Sequence, residues 1–256
     1  MTRKYVRKRG MPVRYKRVLV KLSGGAVAKE NGFGFNPDQL EHIANEILAL
    51  VNMGIEVAIV IGGGNIFRGN MADMWGIERV EADNIGTLAT VINSLMLRGV
   101  LKARVNREVR VMTAVPINAV AEPYIRLRAV HHLEKGYVVI FAGGNGQPYV
   151  TTDYPAVQRA LEVEADALLV AKNGVDGVFT ADPRTDSTAK QYKEVSFDEI
   201  VRRDLRVMDQ AAMILARDHG LPLHVFNFEQ PGAMARICNG EQVGTYISRH
   251  GEAVYK

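Results

Sequence analysis

One turn, repeated three times, constrains this chain more than any other feature: a short apolar run that ends directly in glycines. Residues 18–22 run into Ser23-Gly24-Gly25, residues 57–61 into Gly62-Gly63-Gly64-Asn65, and residues 137–141 open into Gly143-Gly144-Asn145-Gly146. Between these runs lie segments with helical spacing of apolar residues. Strand-like and helix-like segments in alternation predict an α/β sandwich around a mainly parallel central sheet. In such a sheet ligands sit beyond the carboxyl ends of the strands. Glycine lets backbone approach a ligand closely, and N–H groups at a helix start favour anions. A single glycine turn merely reverses the chain. Three of them at strand ends point to a ligand with several anionic groups.

The remaining segments fit the same frame. Asn36-Pro37-Asp38 reads as a helix start, with a capping side chain and proline in the first turn. Leu40, Ile43, Ile47, Leu50 and Val51 form one face of that helix, which stops near Gly54. Further helices are expected near 85–102, 124–134, 154–163, 197–203, 209–218 and 232–239. Further strands are expected near 109–112, 167–171, 223–226 and 245–248. Asn173-Gly174-Val175-Asp176-Gly177 reads as a hairpin-like turn. No repeat, low-complexity segment or linker interrupts residues 18–249.

Charged residues stand beside the glycines. Lys21 is the penultimate residue of the first strand, where burial without a partner is costly; the plain alternative is an edge-strand lysine facing water. Arg68 follows the triple glycine by one helical turn, a place suited to anion contact. Familiar phosphate and metal motifs are missing. There is no GxxxxGK[ST], the Gly62-x-Gly64 pair lacks the third glycine of the dinucleotide fingerprint, and no HExxH or CxxC occurs. The HRD and DFG pair of protein kinases is also absent. His131 and His132 are adjacent on a predicted helix, which is poor metal geometry, and read as structural.

Composition narrows the setting. The single cysteine, Cys238, excludes an intrachain disulfide framework and suits a reducing compartment. No apolar run approaches the roughly 18 residues of a membrane span, and no signal-peptide core follows the charged start, so the chain reads as cytoplasmic. The net charge of +4 comes from residues 1–17, which hold eight Lys or Arg and no acid; the rest carries 24 basic and 28 acidic residues. Residues 1–17 therefore read as a basic, disordered extension, either solvated or able to bind nucleic acid, with Met11 as an alternative start. Residues 18–249 read as one domain, and 250–256 as a tail.

Several strings together resemble the uridylate kinase branch of the amino-acid-kinase superfamily. They are Lys21-Leu22-Ser23-Gly24, Ile61-Gly62-Gly63-Gly64-Asn65-Ile66-Phe67-Arg68-Gly69, Thr151-Thr152-Asp153, Val175-Asp176-Gly177-Val178-Phe179-Thr180-Ala181-Asp182-Pro183, Arg206-Val207-Met208-Asp209 and Leu215-Ala216-Arg217-Asp218-His219. They occur in family order over about residues 17–249. The resemblance implies a three-layer αβα fold, its N-terminal half mainly binding UMP and its C-terminal half mainly binding ATP. It also implies Mg²⁺ bound with ATP, a homohexamer, and GTP and UTP as activator and inhibitor. By position, Lys21 is similar to the lysine that bridges donor and acceptor phosphates. Ser23, Gly24 and Gly64 resemble ATP phosphate contacts, with Arg68 reaching the same phosphates. Gly63, Asp83, Asn145, Gly146, Thr151 and Thr152 resemble the UMP site. Asn173, Phe179 and Asp182 resemble the ATP base and ribose pocket, and Asp153 and Asp209 the acids that organise the catalytic cations. Arg98 and Arg110 fall where an inter-subunit regulatory site would lie, or are ordinary exposed arginines.

Two positions depart from the family pattern. Gly25 replaces a glutamate, which would loosen the first helix start. Asn145 replaces a threonine, which keeps a donor and an acceptor but leaves the nucleobase preference open. A phosphate acceptor has a second pKa of about 6, so it is already a nucleophile at neutral pH and needs no general base. The remaining task is electrostatic, the meeting of two polyanions. Two other readings stay open, a kinase of an amino acid or carbamate and a catalytically silent nucleotide sensor of the same superfamily.

Overall fold

Short strands buried on both faces build the centre of the molecule. The computed structural model describes residues 13–205 and 207–256. Its strands are β1 (Arg17–Leu22), β2 (Glu56–Ile61), β3 (Val109–Thr113), β4 (Glu122–Pro123), β5 (Val138–Ala142), β6 (Ala167–Lys172), β7 (Tyr192–Ser196), β8 (Leu223–Asn227), β9 (Thr245–Ser248) and β10 (Val254–Tyr255). They form one sheet in the order β10-β7-β9-β8-β6-β1-β2-β5-β3-β4. From β8 to β4 every pairing is parallel; the β8–β9 and β7–β10 pairings are antiparallel.

The helices are α1 (Pro37–Asn52), α2 (Gly69–Trp75), α3 (Arg79–Lys102), α4 (Arg126–Glu134), α5 (Asp153–Glu162), α6 (Phe197–Arg202), α7 (Gln210–His219) and α8 (Ala233–Cys238). Strand alternation divides the interior into two cores. Val18, Val20 and Leu22 pack with Ile43 and Ile47 of α1, Leu97 of α3 and Ile237 of α8. Leu19, Val60 and Val170 pack on the opposite face with Leu133 of α4, Val157 of α5, Ile200 of α6 and Met213 of α7. The result is the expected three-layer αβα sandwich. Truncating a fully buried residue such as Ile47 to alanine costs about 2–5 kcal/mol. The start of α1 is as read: the Asn36 side chain accepts from the Asp38 N–H at 2.9 Å.

Several expectations need correction. Residues 13–17 are not part of a solvated tail. Tyr15 and Arg17 are buried, and Arg17 Nε donates to Glu56 at 2.6 Å. The basic charge of residues 1–12 lies outside the described residues, as does Arg206. The C-terminal stretch is not a tail either, because Val254–Tyr255 pairs with β7. Helix α3 begins at Arg79 rather than near 85, since its first two turns are polar and carry no apolar period. The 173–191 stretch is a long loop closed by an antiparallel bridge between Phe179 and Gln191 rather than a tight hairpin. Helix α3 is the one described stretch that comes near the length and hydropathy of a membrane span. By length and mean hydropathy, 1.2 over 18 residues, it is apolar enough to cross one. Here it packs on the sheet through Val91, Leu97 and Leu101.

Candidate active site

Strand alternation decides where Lys21 points. It shares the face of Leu19, over the start of α5, whose first residue is Asp153. Lys21 Nζ meets Asp153 Oδ1 at 2.6 Å, and Lys21 is only 7% exposed. With β2 on one side and β6 on the other, β1 is interior, so the edge-strand alternative fails. A buried ion pair of this kind costs desolvation on both partners. It is retained where a charge is needed, at the carboxyl end of the central strand.

The three glycine turns converge on that end. A methyl group at Gly24 would stand 2.4 Å from Gly64 N, so the first two turns touch backbone to backbone and only glycine fits between them. A methyl on Gly62 would reach the Thr152 hydroxyl at 3.3 Å, which brings the end of the third loop into the same contact. Helix α3 clamps the assembly from behind. The Thr90 hydroxyl accepts from Gly143 N at 2.9 Å. Asn93 Nδ2 donates to Gly62 O and to Asn65 Oδ1, both at 2.6 Å. Asn65 in turn donates to Gly34 O at 2.9 Å. Buried amides satisfied on several sides fix backbone in place before any ligand arrives.

On the β2 side these turns open into a cavity of ≈ 570 Å³ whose walls include Gly63, Gly64, Arg68, Asp83, Thr151 and Thr152. Its size suits a small organic phosphate. Asp83 Oδ2 accepts from Arg79 Nε at 2.8 Å and from the Tyr149 backbone at 2.7 Å. It thereby joins α3 to the third loop across the mouth. Arg68 is on the wall, but its Nε and Nη2 are committed to Gly64 O at 2.7 Å and Gly32 O at 2.9 Å. It also stacks 5.1 Å over Phe33. Part of its role is therefore to hold the loop that follows β2.

The acids expected to organise the cations are brought together. Asp209 N donates to Asp153 Oδ2 at 3.2 Å, and the Thr151 hydroxyl donates to the Asp209 carboxylate. Asp153, Asp209, Thr151 and Lys21 thus form one connected cluster. Ser23 precedes the 3-10 turn Gly24–Val27 and its hydroxyl does not cap it. Asn173, Phe179 and Asp182 lie elsewhere, on the loop after β6, on the other side of β1 from the cavity. Asp182 is held by Arg184 Nη2 at 2.9 Å and Nε at 3.1 Å. These hydrogen bonds keep its carboxyl below the usual range. Asn145 Oδ1 accepts from Gln147 N at 3.1 Å, closing a local turn beside Gly146 and leaving its amide protons for other use. Gly25 is exposed. A methyl group added there would have Ser23 Oγ at 3.5 Å as its nearest neighbour, so nothing steric demands glycine. The sequence reading missed Thr90, Asn93 and Lys172. The signal for Asn93 was a polar side chain inside an apolar helix face.

Among the described residues, no group of three or more His, Cys, Asp or Glu side chains could cage a metal ion. Asp153 and Asp209 alone fit a cation that arrives with most of its ligands on a nucleotide, the usual habit of Mg²⁺. Of the adjacent histidines, His132 is held structurally, with Nε2 3.0 Å from Glu122 and its ring stacked on Tyr137, while His131 is exposed.

Residues 16–227 match the model of the amino acid kinase family. A uridylate kinase of Frankia casuarinae is 64% identical over 239 residues, 93% of this chain and 92% of that protein. One from Marinobacter nauticus is 50% identical over 91% of this chain and 96% of its own length. Among solved structures, UMP kinase from Bacillus anthracis superposes with a TM-score of 0.92 at 67% identity, covering 94% of this chain and 99% of that one. UMP kinase from Ureaplasma parvum gives 0.86 at 33% identity, covering 92% and 99%. With its glycine turns, interior lysine and three-layer sheet in agreement with these matches, the chain belongs to the amino acid kinase family, in its uridylate kinase branch.

Proposed function

We propose that this protein transfers the γ-phosphate of ATP to the 5′-phosphate of UMP, giving ADP and UDP for pyrimidine nucleotide synthesis. One observation carries the reading: three glycine turns meet at the end of β1, with Lys21 at their junction. UMP takes the cavity on the β2 side, whose walls include Gly63, Asp83, Thr151 and Thr152, with Asn145 and Gly146, which do not line it, assigned to UMP by the resemblance. ATP lies on the β6 side, its phosphates over Ser23, Gly24 and Gly64 and its base and ribose toward Asn173, Phe179 and Asp182. Lys21 stands between the two phosphate groups. Its ammonium leaves Asp153 in part and stabilises charge on the phosphoryl group in flight, while fixed N–H groups hold the remaining oxygens. Lys21 also lowers the cost of bringing two polyanions together, which is a matter of position rather than acid–base chemistry. Mg²⁺ bound with ATP supplies further charge neutralisation, with Asp153 and Asp209 as the side chains that would hold it.

The oligomer and regulators belong to the same proposal. Leu88, Ile92 and Met96 are spaced by four on α3 and are all more than a third exposed, a stripe that supports self-association up to the family's hexamer. Regulation by GTP and UTP rests on the resemblance, since Arg98 and Arg110 are already engaged by Val120 O and by Glu108 and Glu122. A cytoplasmic setting is supported by Cys238 being the single cysteine of the chain, a buried free thiol with no disulfide partner within it.

The test is ADP release measured against UMP, CMP, TMP and glutamate. Turnover with UMP foremost supports the reading. Turnover with glutamate, or nucleotide binding with no turnover, would move it to the small-acid kinase or the sensor.

A further inference from the structure

Two lysines face the junction, and the transfer step uses only one of them. In β6, Ala167, Leu169 and Ala171 enter the core under α1, while Leu168 and Val170 enter the opposite one. Lys172 therefore turns to the same face as Lys21. The β1–β6 register sets Lys21 beside Val170, so Lys172 stands two residues farther toward the strand ends, on the side away from the cavity. Its Nζ donates to Val207 O at 2.6 Å. Val207 begins the short segment ending in Asp209, whose N–H holds Asp153, the partner of Lys21. Lys172 is thus linked to the Lys21, Asp153 and Asp209 cluster through the backbone of residues 207–209. Burial, and then the Lys21 charge, hold the Lys172 pKa below the ordinary lysine value, against the pull of Asp153 and Asp209.

The short contact of Lys172 is a carbonyl, which takes one of the three ammonium protons. Without its charge the cluster would carry two carboxylates against one lysine. An entering polyphosphate would then meet net negative charge in a partly buried site, where screening is weak.

We propose that Lys172 is a positioning residue for the phosphoryl donor: it holds the 207–209 segment and balances the second carboxylate, so that the ATP phosphates meet a neutral cluster. This rests on the assignment of ATP to the β6 side. It would make substitution at Lys172 selective for one substrate, which a purely structural lysine would not be.

The experiment is initial-rate kinetics on the full chain, with ATP and UMP varied separately, for the wild type, Lys172→Met and Lys172→Arg. For Lys172→Met, KM for ATP is expected to rise about fivefold or more and kcat to fall about tenfold, with KM for UMP within about twofold. Lys172→Arg, which keeps the charge, is expected to bring KM for ATP back to within about threefold of wild type. Equal losses for both substrates, or ATP constants unchanged in Lys172→Met, would overturn the proposal. If Lys172→Met does not fold, Lys172→Gln is compared with Lys172→Arg, and equal KM values for ATP overturn it. A wild-type chain that releases no ADP with UMP would sink the underlying kinase reading. An active wild type with an indifferent Met variant would sink only the role of Lys172.

Discussion

The two flanks of β1 are built on different principles. Toward β2 and β5 the site is held from behind: Thr90, Asn93 and Asn65 are buried and pin the second and third glycine turns through amide and hydroxyl contacts. Toward β6 and β8 the 173–191 loop is mostly exposed: its near end is tied to the body through Asp176, with Asn227 and Gln230, and through Val178, with Thr245, but the 182–188 tip is held by local contacts such as Asp182 with Arg184 and Asp186 with Thr188. The lesson is one of preorganisation. On the proposed assignment of substrates, the acceptor side has its shape before a ligand arrives, whereas the tip of the donor-side loop would draw more of its definition from the nucleotide. Substitutions on the first flank should act through the scaffold, and those on the second through direct contact.

The junction itself should give the largest effect. Lys21→Met is expected to lower kcat by about three powers of ten or more, with KM for UMP changed only a few-fold. Steady-state kinetics with circular dichroism checks this, and a loss of only a few-fold would show that Lys21 is not the bridging cation. Gly24→Ala comes next. Its methyl meets Gly64 N at 2.4 Å, so the first two turns must part, and kcat is expected to drop about a hundredfold because a shift near 1 Å costs that much. An alanine variant of near-normal rate would mean that the contact between the turns is not needed.

A pair of substitutions sharpens the contrast between the flanks. Asp83→Ala, which unties the Tyr149 backbone from α3, is expected to raise KM for UMP about tenfold and to leave ATP nearly unaffected. Asp182→Ala on the exposed loop is expected to raise KM for ATP about threefold with no change in thermal midpoint. Equal effects of either variant on both substrates would erase the division between acceptor and donor flanks.

The smallest effect lies far from the site. His224 is buried, bonded to the Tyr15 hydroxyl at 2.8 Å, and lowered to about 3, first by burial and then by the Arg14 charge. The unfolded chain takes up this proton below its ordinary value near 6.5 while the native chain does not. Stability from this group is therefore complete above about pH 6.5 and lost as pH falls toward 3, with a slope of at most about 1.4 kcal/mol per pH unit. Urea midpoints of His224→Gln from pH 7 to 4 should fall less steeply than those of the wild type, while activity at pH 7 stays the same.

Much of the site was legible in the sequence because glycine is a local signal. The turns at Gly24, Gly62–Gly64 and Gly143–Gly144 follow apolar runs, and the runs proved to be adjacent strands. Lys21 could be placed at a strand end, but its partner could not, since Asp153 is 132 positions away and meets it only through sheet order. Lys172 escaped notice for the same reason: alone it is the last residue of a strand, and its meaning comes from the face it shares with Lys21. The polar start of α3, the packed residues 13–17 and β10 were missed because none carries an apolar period of its own. Their positions follow from tertiary contacts, such as Arg17 with Glu56.

Whether one cleft holds both nucleotides end to end is most directly measured by calorimetric titration with adenosine and uridine joined 5′ to 5′ through a pentaphosphate. One molecule should bind per chain, ATP and UMP should each displace it, and Lys21→Met should weaken it more than it weakens either nucleotide alone. Displacement by only one of the two, or an affinity indifferent to Lys21, would contradict a shared site at the end of β1.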